Sequence, residues 1–320
     1  MSRRTRPPAE LFDAALDGDR SAVARLLSLI ERGDDDARTI GRIAYPLSAV
    51  GYTVGLTGAP GSGKSTLTSS LIGHLRGLEL EIAVLAIDPS SPFTGGAILG
   101  DRVRMQEHAT DPGVFIRSMA TRGHLGGLSL ATPEAVRLLH AIGREWIIVE
   151  TVGVGQVEVE VAGKADTTVV VVNPGWGDSV QANKAGLMEI ADVFVINKAD
   201  RKGFEETRRD LMQMLDLSEL PPDAWRPPIV RTVASTGDGV TDLWDALLAH
   251  RDHAENSGEL DRRRTFRLRE ELREIVAQRL GRRARQICTG DRWDELTDAV
   301  VALTTDPWSA ADEMLAPVTA

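Results

Sequence analysis

The sequence predicts an α/β fold: a doubly wound, mostly parallel sheet with an N-terminal helical extension and a C-terminal helical arm. Short apolar runs alternate with segments of helical periodicity through the middle of the chain. Most of these runs are apolar throughout, as expected for strands buried on both faces of a parallel sheet. The predicted strands are 52–58, 81–88, 113–118, 145–151, 166–173, 192–198 and 228–234, with helices at 64–77, 132–143, 179–189, 204–215 and 240–250.

The two ends of the chain are interpreted as helical additions. The polar segment 251–264 is interpreted as a linker, followed by a long amphipathic helix to residue 287. The predicted divisions are an N-terminal helical extension at 1–48, a main domain at 49–252 and a C-terminal helical arm at 253–320. Before the main domain, periodicity predicts a helix pair whose inward residues are Leu11, Phe12, Ala15, Leu16, Val23, Leu26, Leu27 and Ile30.

Composition narrows the class of protein. The net charge of −10 disfavours nucleic-acid binding through phosphate neutralisation. No apolar stretch is long enough to cross a bilayer, and the basic first residues lack the apolar core of a leader peptide. A single cysteine, Cys288, is too few for an internal disulfide or a cysteine metal cluster. We expect a cytoplasmic protein without nucleic-acid or membrane partners.

The segment GAPGSGKST, residues 58–66, follows the first predicted strand and opens a helix. It fits the P-loop pattern G-x-x-x-x-G-K-[ST] in the context of strand, loop and helix that this motif requires. Its glycines let backbone N–H groups turn toward phosphates. Lys64 would bring charge to the β- and γ-phosphates, and the Ser65 hydroxyl is placed to bind Mg²⁺. The segment predicts a nucleoside triphosphate site.

The segment NKAD, residues 197–200, ends a later apolar strand and indicates which base is bound. The Asp200 carboxylate can accept hydrogen bonds from guanine N1–H and the exocyclic amine. Adenine presents an acceptor at N1 and would leave the carboxylate unpaired. Asn197 and Lys198 would hold the base edge and line the ring. Following a P-loop, this segment predicts that the nucleotide is GTP.

Three acidic residues are candidates for the magnesium site. Glu150 ends a buried strand in the Walker B position, where a carboxylate holds Mg²⁺ through water. Asp88 ends the strand next to the P-loop, so its carboxylate should point at the metal. Asp101 closes the Gly- and Ser-rich loop that follows Asp88, and it can fold back only if that loop closes.

Candidate switch loops lie at 88–101, 150–160 and 175–188, where partner contact would order the chain. Lys64, Asp101 and Glu150 are the candidate catalytic residues. Gln156 is a second candidate for positioning the attacking water, and the choice between Glu150 and Gln156 is open.

These motifs together make the chain resemble the methylmalonyl-CoA mutase-associated GTPases, the MeaB and MMAA type. The most specific matches are DPSSPFTGGAILGDRVRM, RSMATRGHLGG, ETVGVGQ, EIADVFVINKAD and DPWSAADEML. The resemblance implies phosphate binding by Gly58, Ala59, Pro60, Gly61, Ser62, Gly63, Lys64, Ser65 and Thr66. It implies guanine binding by Asn197, Lys198, Asp200, Val233, Ala234 and Ser235, and a magnesium site of Ser65, Asp88, Asp101 and Glu150.

The resemblance also implies a function and partners. Members are Mg²⁺-dependent GTPases, producing GDP, that are slow alone and stimulated by an adenosylcobalamin-dependent acyl-CoA mutase, with methylmalonyl-CoA mutase the default. They gate cofactor loading from an adenosyltransferase, which is an indirect partner, and protect or reactivate the mutase without binding cobalamin themselves. They are homodimers joined by the C-terminal arm.

Three alternatives remain open at the level of sequence. A metal-insertion GTPase would need a His-rich tract or a Cys pair, whereas the six histidines here are scattered. A kinase or ATPase linked to amino-acid transport would need a protein-acceptor site, and no segment resembles one. A pure binding switch with negligible turnover would differ by its lack of hydrolysis in the presence of a partner.

Overall fold

The computed structural model describes residues 6–33, 35–48, 51–89, 106–121, 127–151, 164–175, 189–217, 221 and 223–319. The chain divides into two compact units, Met1–Arg267 and Leu268–Ala320. The divisions expected at residues 48 and 252 stay predictions.

The described part of the first unit contains a sheet of seven strands, and every strand pair is parallel. The spatial order is β3-β2-β4-β1-β5-β6-β7. The predicted α/β fold is confirmed, and each predicted strand is present. The strands are β1 (Tyr52–Thr57), β2 (Ile82–Pro89), β3 (Val114–Thr121), β4 (Trp146–Thr151), β5 (Thr167–Val172), β6 (Val193–Ile196) and β7 (Ile229–Arg231).

Helices pack on the sheet within the first unit, and helices also form the second unit. Within the described ranges they are α1 (Pro8–Leu16), α2 (Arg20–Arg32), α3 (Asp35–Ala44), α4 (Lys64–Gly77), α5 (Gly127–Ala141), α6 (Phe204–Leu217), α7 (Val240–Asn256), α8 (Glu259–Ile287), α9 (Asp291–Val301) and α10 (Pro307–Thr319). None of these helices combines the length and the apolarity that crossing a membrane requires.

Alternate residues of the strands face opposite sides of the sheet, as strand geometry requires. On β1, Tyr52, Val54 and Leu56 join the core cluster that contains residues of α4 and α7. On the opposite side, α1–α3 and α5 cover β2–β4, and α6 covers β5 and β6. The sheet is therefore buried on both faces, which explains why its strands are apolar at nearly every position.

Strand β1 lies between β4 and β5, where the chain switches from one half of the sheet to the other. In open α/β sheets, ligands bind beyond the carboxyl ends of the strands at such a switch point. The P-loop follows β1 and therefore stands at this position. The sequence predicted that the strand ending near Asp88 lies next to β1, which leads into the P-loop. This prediction was wrong, because β4 lies between β2 and β1.

The predicted N-terminal helix pair is present as α1 and α2, and seven of its eight inward residues are buried. The structure corrects two sequence-based assignments at the ends of the chain. Leu16, expected inside, is 51% exposed at the last position of α1. The supposed linker 251–264 is mostly helical: α7 continues to Asn256 and α8 starts at Glu259. Most of the helix predicted at 179–189 lies outside the described residues.

Buried aspartates tie the first turns of α8 to the amino ends of β5 and β6. Asp166 Oδ2 accepts a hydrogen bond from Arg264 Nη2 at 2.7 Å, and Arg267 also pairs with this carboxylate. Asp192 forms two hydrogen bonds with Arg263, at 2.8 and 2.9 Å. Burial by itself raises the pKa of Asp166, but the arginine partners outweigh it and hold the pKa below its ordinary value.

Candidate functional site

Two glycines of the P-loop occupy positions that other residues cannot adopt. Gly58 has φ +140°, and a Cβ there would lie 2.0 Å from the carbonyl oxygen of Val171 on β5. Gly63 has φ +94°, and its Cβ would lie 2.4 Å from Asn197 Nδ2. Left-handed backbone and close approach both require glycine here. The loop can therefore pack directly against β5 and the residues that follow β6.

Lys64 is the first residue of α4, yet its side chain turns back over the loop. Its Nζ donates to the carbonyl oxygen of Gly58 and to that of Ala59, the latter at 3.3 Å. The side chain is 7% exposed, so the ammonium group is held inside the loop at the helix N-terminus. Charge and helix dipole both favour an anion at this point.

Ser65 and Glu150 bring a hydroxyl and a carboxylate together beside the P-loop. Ser65 Oγ donates to Glu150 Oε1 at 2.7 Å, and both side chains are buried. Glu150 is near the carboxyl end of β4, directly beside Leu56 on β1. A pair of oxygen ligands at the N-terminus of a P-loop helix suits Mg²⁺, which binds through one or two protein oxygens, substrate phosphates and water.

Asn197 links the P-loop to the segment that follows β7. Its Nδ2 donates to the carbonyl oxygen of Ser62 at 2.8 Å. Its Oδ1 accepts from the backbone N–H of Ala234 at 3.0 Å and from Thr232 Oγ1 at 3.2 Å. The side chain is 1% exposed. One amide therefore fixes two loops at the carboxyl edge of the sheet.

Lys198 and Asp200 follow Asn197 in a turn whose first two residues are half-buried. Lys198 has φ +58°, an uncommon value for a residue other than glycine. This conformation accompanies a hydrogen bond from its Nζ to the carbonyl oxygen of Gly61 at 2.5 Å. The Lys198 stem therefore crosses from β6 to the P-loop. Asp200 is exposed two residues later, as a ligand-facing carboxylate must be.

The segment 233–235 is anchored by a residue that sequence reasoning missed. Val233 and Ala234 are buried, whereas Ser235 is exposed. Ser70 Oγ on α4 donates to the carbonyl oxygen of Ala234 at 2.5 Å. Asn197 holds the N–H of the same residue, so both sides of the Ala234 backbone are fixed. The only sequence signal for Ser70 was its place on α4, five residues after Ser65.

The structure thus brings the P-loop, Glu150, the NKAD segment and residues 233–235 to one edge of the sheet. Two of the other predicted metal residues fall outside the described part of the chain: Asp101 as a whole and Asp88 by its side chain. Gln156, the second candidate for positioning the attacking water, also lies outside the described residues. Among the residues that are described, no three His, Cys, Asp or Glu side chains form a metal-binding group. The four-residue magnesium site stays a prediction.

Comparison with known proteins decides the family. Residues 23–288 match the family described as methylmalonyl Co-A mutase-associated GTPase MeaB. The chain belongs to this family. Mutase-associated GTPases are nucleotide-binding proteins with a P-loop, and the geometry around Lys64 and Asn197 agrees with that membership.

Relatives of this mutase-associated GTPase include archaeal and animal proteins. A Pyrococcus abyssi protein named as a GTPase is 51% identical over 311 residues, covering 96% of this chain and 95% of the relative. The Mus musculus protein named methylmalonic aciduria type A homolog, mitochondrial, is 34% identical, covering 79% of this chain and 65% of the relative. The solved structure of a protein named LAO/AO transport system kinase has a TM-score of 0.71 and 26% identity, covering 98% of both chains.

Proposed function

We propose that this chain binds and hydrolyses GTP between the P-loop and the NKAD segment. The observation that carries the proposal is the position of Asn197, which joins Ser62 of the P-loop to the 233–235 segment. Phosphate-binding and base-binding segments are thereby held at a fixed separation. Asp200, exposed in the turn after Asn197, reads the guanine N1–H and amine, while Val233, Ala234 and Ser235 border the base.

The backbone of Gly58–Thr66 and the side chain of Lys64 bind the phosphates. On nucleotide binding, the Lys64 ammonium exchanges its two carbonyl partners for phosphate oxygens and stays close to the same position. The bound ion would be Mg²⁺, held by Ser65 and Glu150 with Asp88 and Asp101, and it would neutralise charge on the β- and γ-phosphates.

The chemical step is in-line attack of water on the γ-phosphate. Lys64 and the N–H groups at the start of α4 stabilise charge that develops on the phosphate oxygens. These donors are held in place before the reaction, because α4 is packed in the core through Leu67, Leu71 and Leu75. Asp101 and either Glu150 or Gln156 complete the catalytic set and orient the water.

The partner is an adenosylcobalamin-dependent acyl-CoA mutase, with methylmalonyl-CoA mutase the first choice. Support comes from the family description, which names this mutase, and from the mouse relative named for methylmalonic aciduria. The GTPase would gate cofactor loading from an adenosyltransferase and protect or reactivate the mutase, without binding cobalamin itself. Contact with the mutase would order the switch loops and accelerate hydrolysis in the cytoplasm.

The second unit supports a homodimer joined by the C-terminal arm. Large apolar side chains on its helices are exposed in the single chain: Leu268, Leu272, Val276 and Leu280 of α8, and Trp308 and Leu315 of α10. The four on α8 recur every fourth residue, as in a stripe that packs on another helix. Leu272→Glu with Leu280→Glu should give a monomer in sedimentation experiments, and an unchanged dimer would contradict the assignment.

Nucleotide selectivity tests the proposed site directly. Asp200→Asn should weaken GTP binding and permit xanthosine triphosphate binding, because an amide can donate to the xanthine carbonyl at C2. Asp210→Asn is the matched control, an exposed aspartate on α6. If Asp200→Asn rejects xanthosine triphosphate as fully as the unaltered protein does, the assignment of the base-reading residue is wrong.

A further inference from the structure

A second cavity lies on the side of the sheet covered by α1 and α2, away from the P-loop helix. Its volume is about 530 Å³, within the range of small-molecule sites. The walls come from the segment before α1, from both helices and from β3. Its lining residues are Arg6, Leu11, Asp19, Ser21, Ala22, Ala24, Arg25, Ser28 and Arg117.

The cavity concentrates positive charge in a chain whose net charge is −10. Three of its four charged lining residues are arginines, Arg6, Arg25 and Arg117. Among the described residues, no hydrogen bond or ion pair occupies Arg6 or Arg25. The fourth, Asp19, is committed to α2, because its Oδ1 accepts from the N–H groups of Ser21 at 2.8 Å and Ala22 at 3.2 Å. Arg6 and Arg25 are exposed and line the cavity, so their charges are available to a ligand there.

Arg117 forms the fixed wall of this cavity. One of its terminal nitrogens donates to Ser28 Oγ at 2.9 Å and to Glu31 Oε2 at 2.6 Å. Its Nε is buried and has no hydrogen-bond partner among the described residues. A buried donor without a partner is costly, so the position of this guanidinium group depends on its bonds to Ser28 and Glu31. The Glu31 pair orients the guanidinium group at the wall of the cavity.

This cavity is separate from the proposed nucleotide site. Arg117 lies in the middle of the edge strand β3, level with Leu85 of β2 and four residues before the strand ends. Its neighbours Phe115 and Met119 belong to the core cluster that contains α1, α2 and α5. The P-loop lysine and Ser65 belong to α4, on the opposite face. Arg117 also begins RSMATRGHLGG, a stretch that the GTP site does not use.

We propose that the cavity between α1, α2 and β3 binds a phosphate-bearing small molecule. The guanidinium groups of Arg6 and Arg25, beside the Arg117–Glu31 ion pair, match the negative charges and oxygens of a terminal phosphate better than a single carboxylate. Leu11, Ala22 and Ala24 supply an apolar wall for the rest of the molecule. The site goes beyond the proposed GTPase function and does not depend on it.

Calorimetric titration of the full-length protein tests this proposal. The P-loop site is first filled with a non-hydrolysable GTP analogue, whose binding is measured separately, so that failure of the two proposals is distinguishable. Inorganic phosphate and coenzyme A are then titrated in turn. Arg25→Ala and Arg6→Ala are the test variants, and Arg42→Ala, an exposed arginine on α3 outside the cavity, is the control.

We expect one or both probes to bind, and Arg25→Ala to weaken binding about tenfold or more, the loss of one charge-assisted contact. Coenzyme A binding more tightly than phosphate would support an organic phosphate as the ligand, and equal affinity would support free phosphate. The control should bind like the unaltered protein. Absence of binding by both probes at millimolar concentration, or equal affinities of Arg25→Ala and Arg42→Ala, would overturn the proposal.

Discussion

Replacing Asn197 with alanine should disturb the site more than any exposed change, because this side chain joins two loops. The substitution removes hydrogen bonds at 2.8, 3.0 and 3.2 Å in a position that is 1% exposed. It leaves the Ser62 carbonyl oxygen and the Ala234 N–H without this partner. With about 0.5–1.5 kcal/mol for each bond, the free energy of unfolding should fall by about 2–4 kcal/mol.

Asn173→Ala is the matched control, because Asn173 also follows the last residue of a central strand, β5. Within the described part of the chain its amide makes one bond, to the carbonyl oxygen of Pro174 at 3.2 Å, so the expected loss is about 1 kcal/mol or less. Urea unfolding followed by tryptophan fluorescence measures both variants, and GTP titration measures the site. Equal losses for the two variants, with unchanged GTP affinity for Asn197→Ala, would refute this account of the loop connection.

Two further substitutions test the catalytic charge and the buried ion pairs. Lys64→Ala should lower GTP hydrolysis at least about a hundredfold and leave the circular dichroism spectrum unchanged; hydrolysis at the normal rate would contradict its role. Asp166→Asn should lower the free energy of unfolding at pH 7 by about 3 kcal/mol, since Arg264 and Arg267 lose their partner. Because the pKa of Asp166 is below its ordinary value in the folded state, the stabilisation is present above about pH 4 and is lost as pH falls further. The free energies of unfolding of the unaltered protein and of Asp166→Asn should therefore become similar near pH 3. A difference that stays constant from pH 7 to pH 3 would contradict this reasoning.

Local patterns were sufficient for the strands and for the motifs. β-branched runs such as that of β5 are buried on both faces, so their composition alone identifies them. The P-loop was equally predictable, because the local backbone conformation requires its glycines. The strand order could not be predicted in the same way. Strand β4, and not β2, lies next to β1, and this arrangement depends on packing across the whole sheet.

Contacts between distant residues were beyond the sequence patterns. Ser70 and Ala234 are separated by 164 positions, so no periodicity relates them. The segment 251–264 was wrongly interpreted as a linker, because its many charged residues suggested a solvent-exposed connection. In the structure, Arg263 and Arg264 pair with buried aspartates, and the break between helices is confined to Ser257 and Gly258, with Gly258 at φ +67°.

The most direct test of the central claim is the rate of GTP hydrolysis by the purified protein, alone and with each adenosylcobalamin-dependent acyl-CoA mutase of the same genome. Lys64→Ala, measured in the same mixtures, accounts for hydrolysis by contaminants. The account predicts slow hydrolysis alone and clear stimulation by one mutase, methylmalonyl-CoA mutase in the first instance. Tight GTP binding without stimulation by any of these mutases would contradict the proposed partnership.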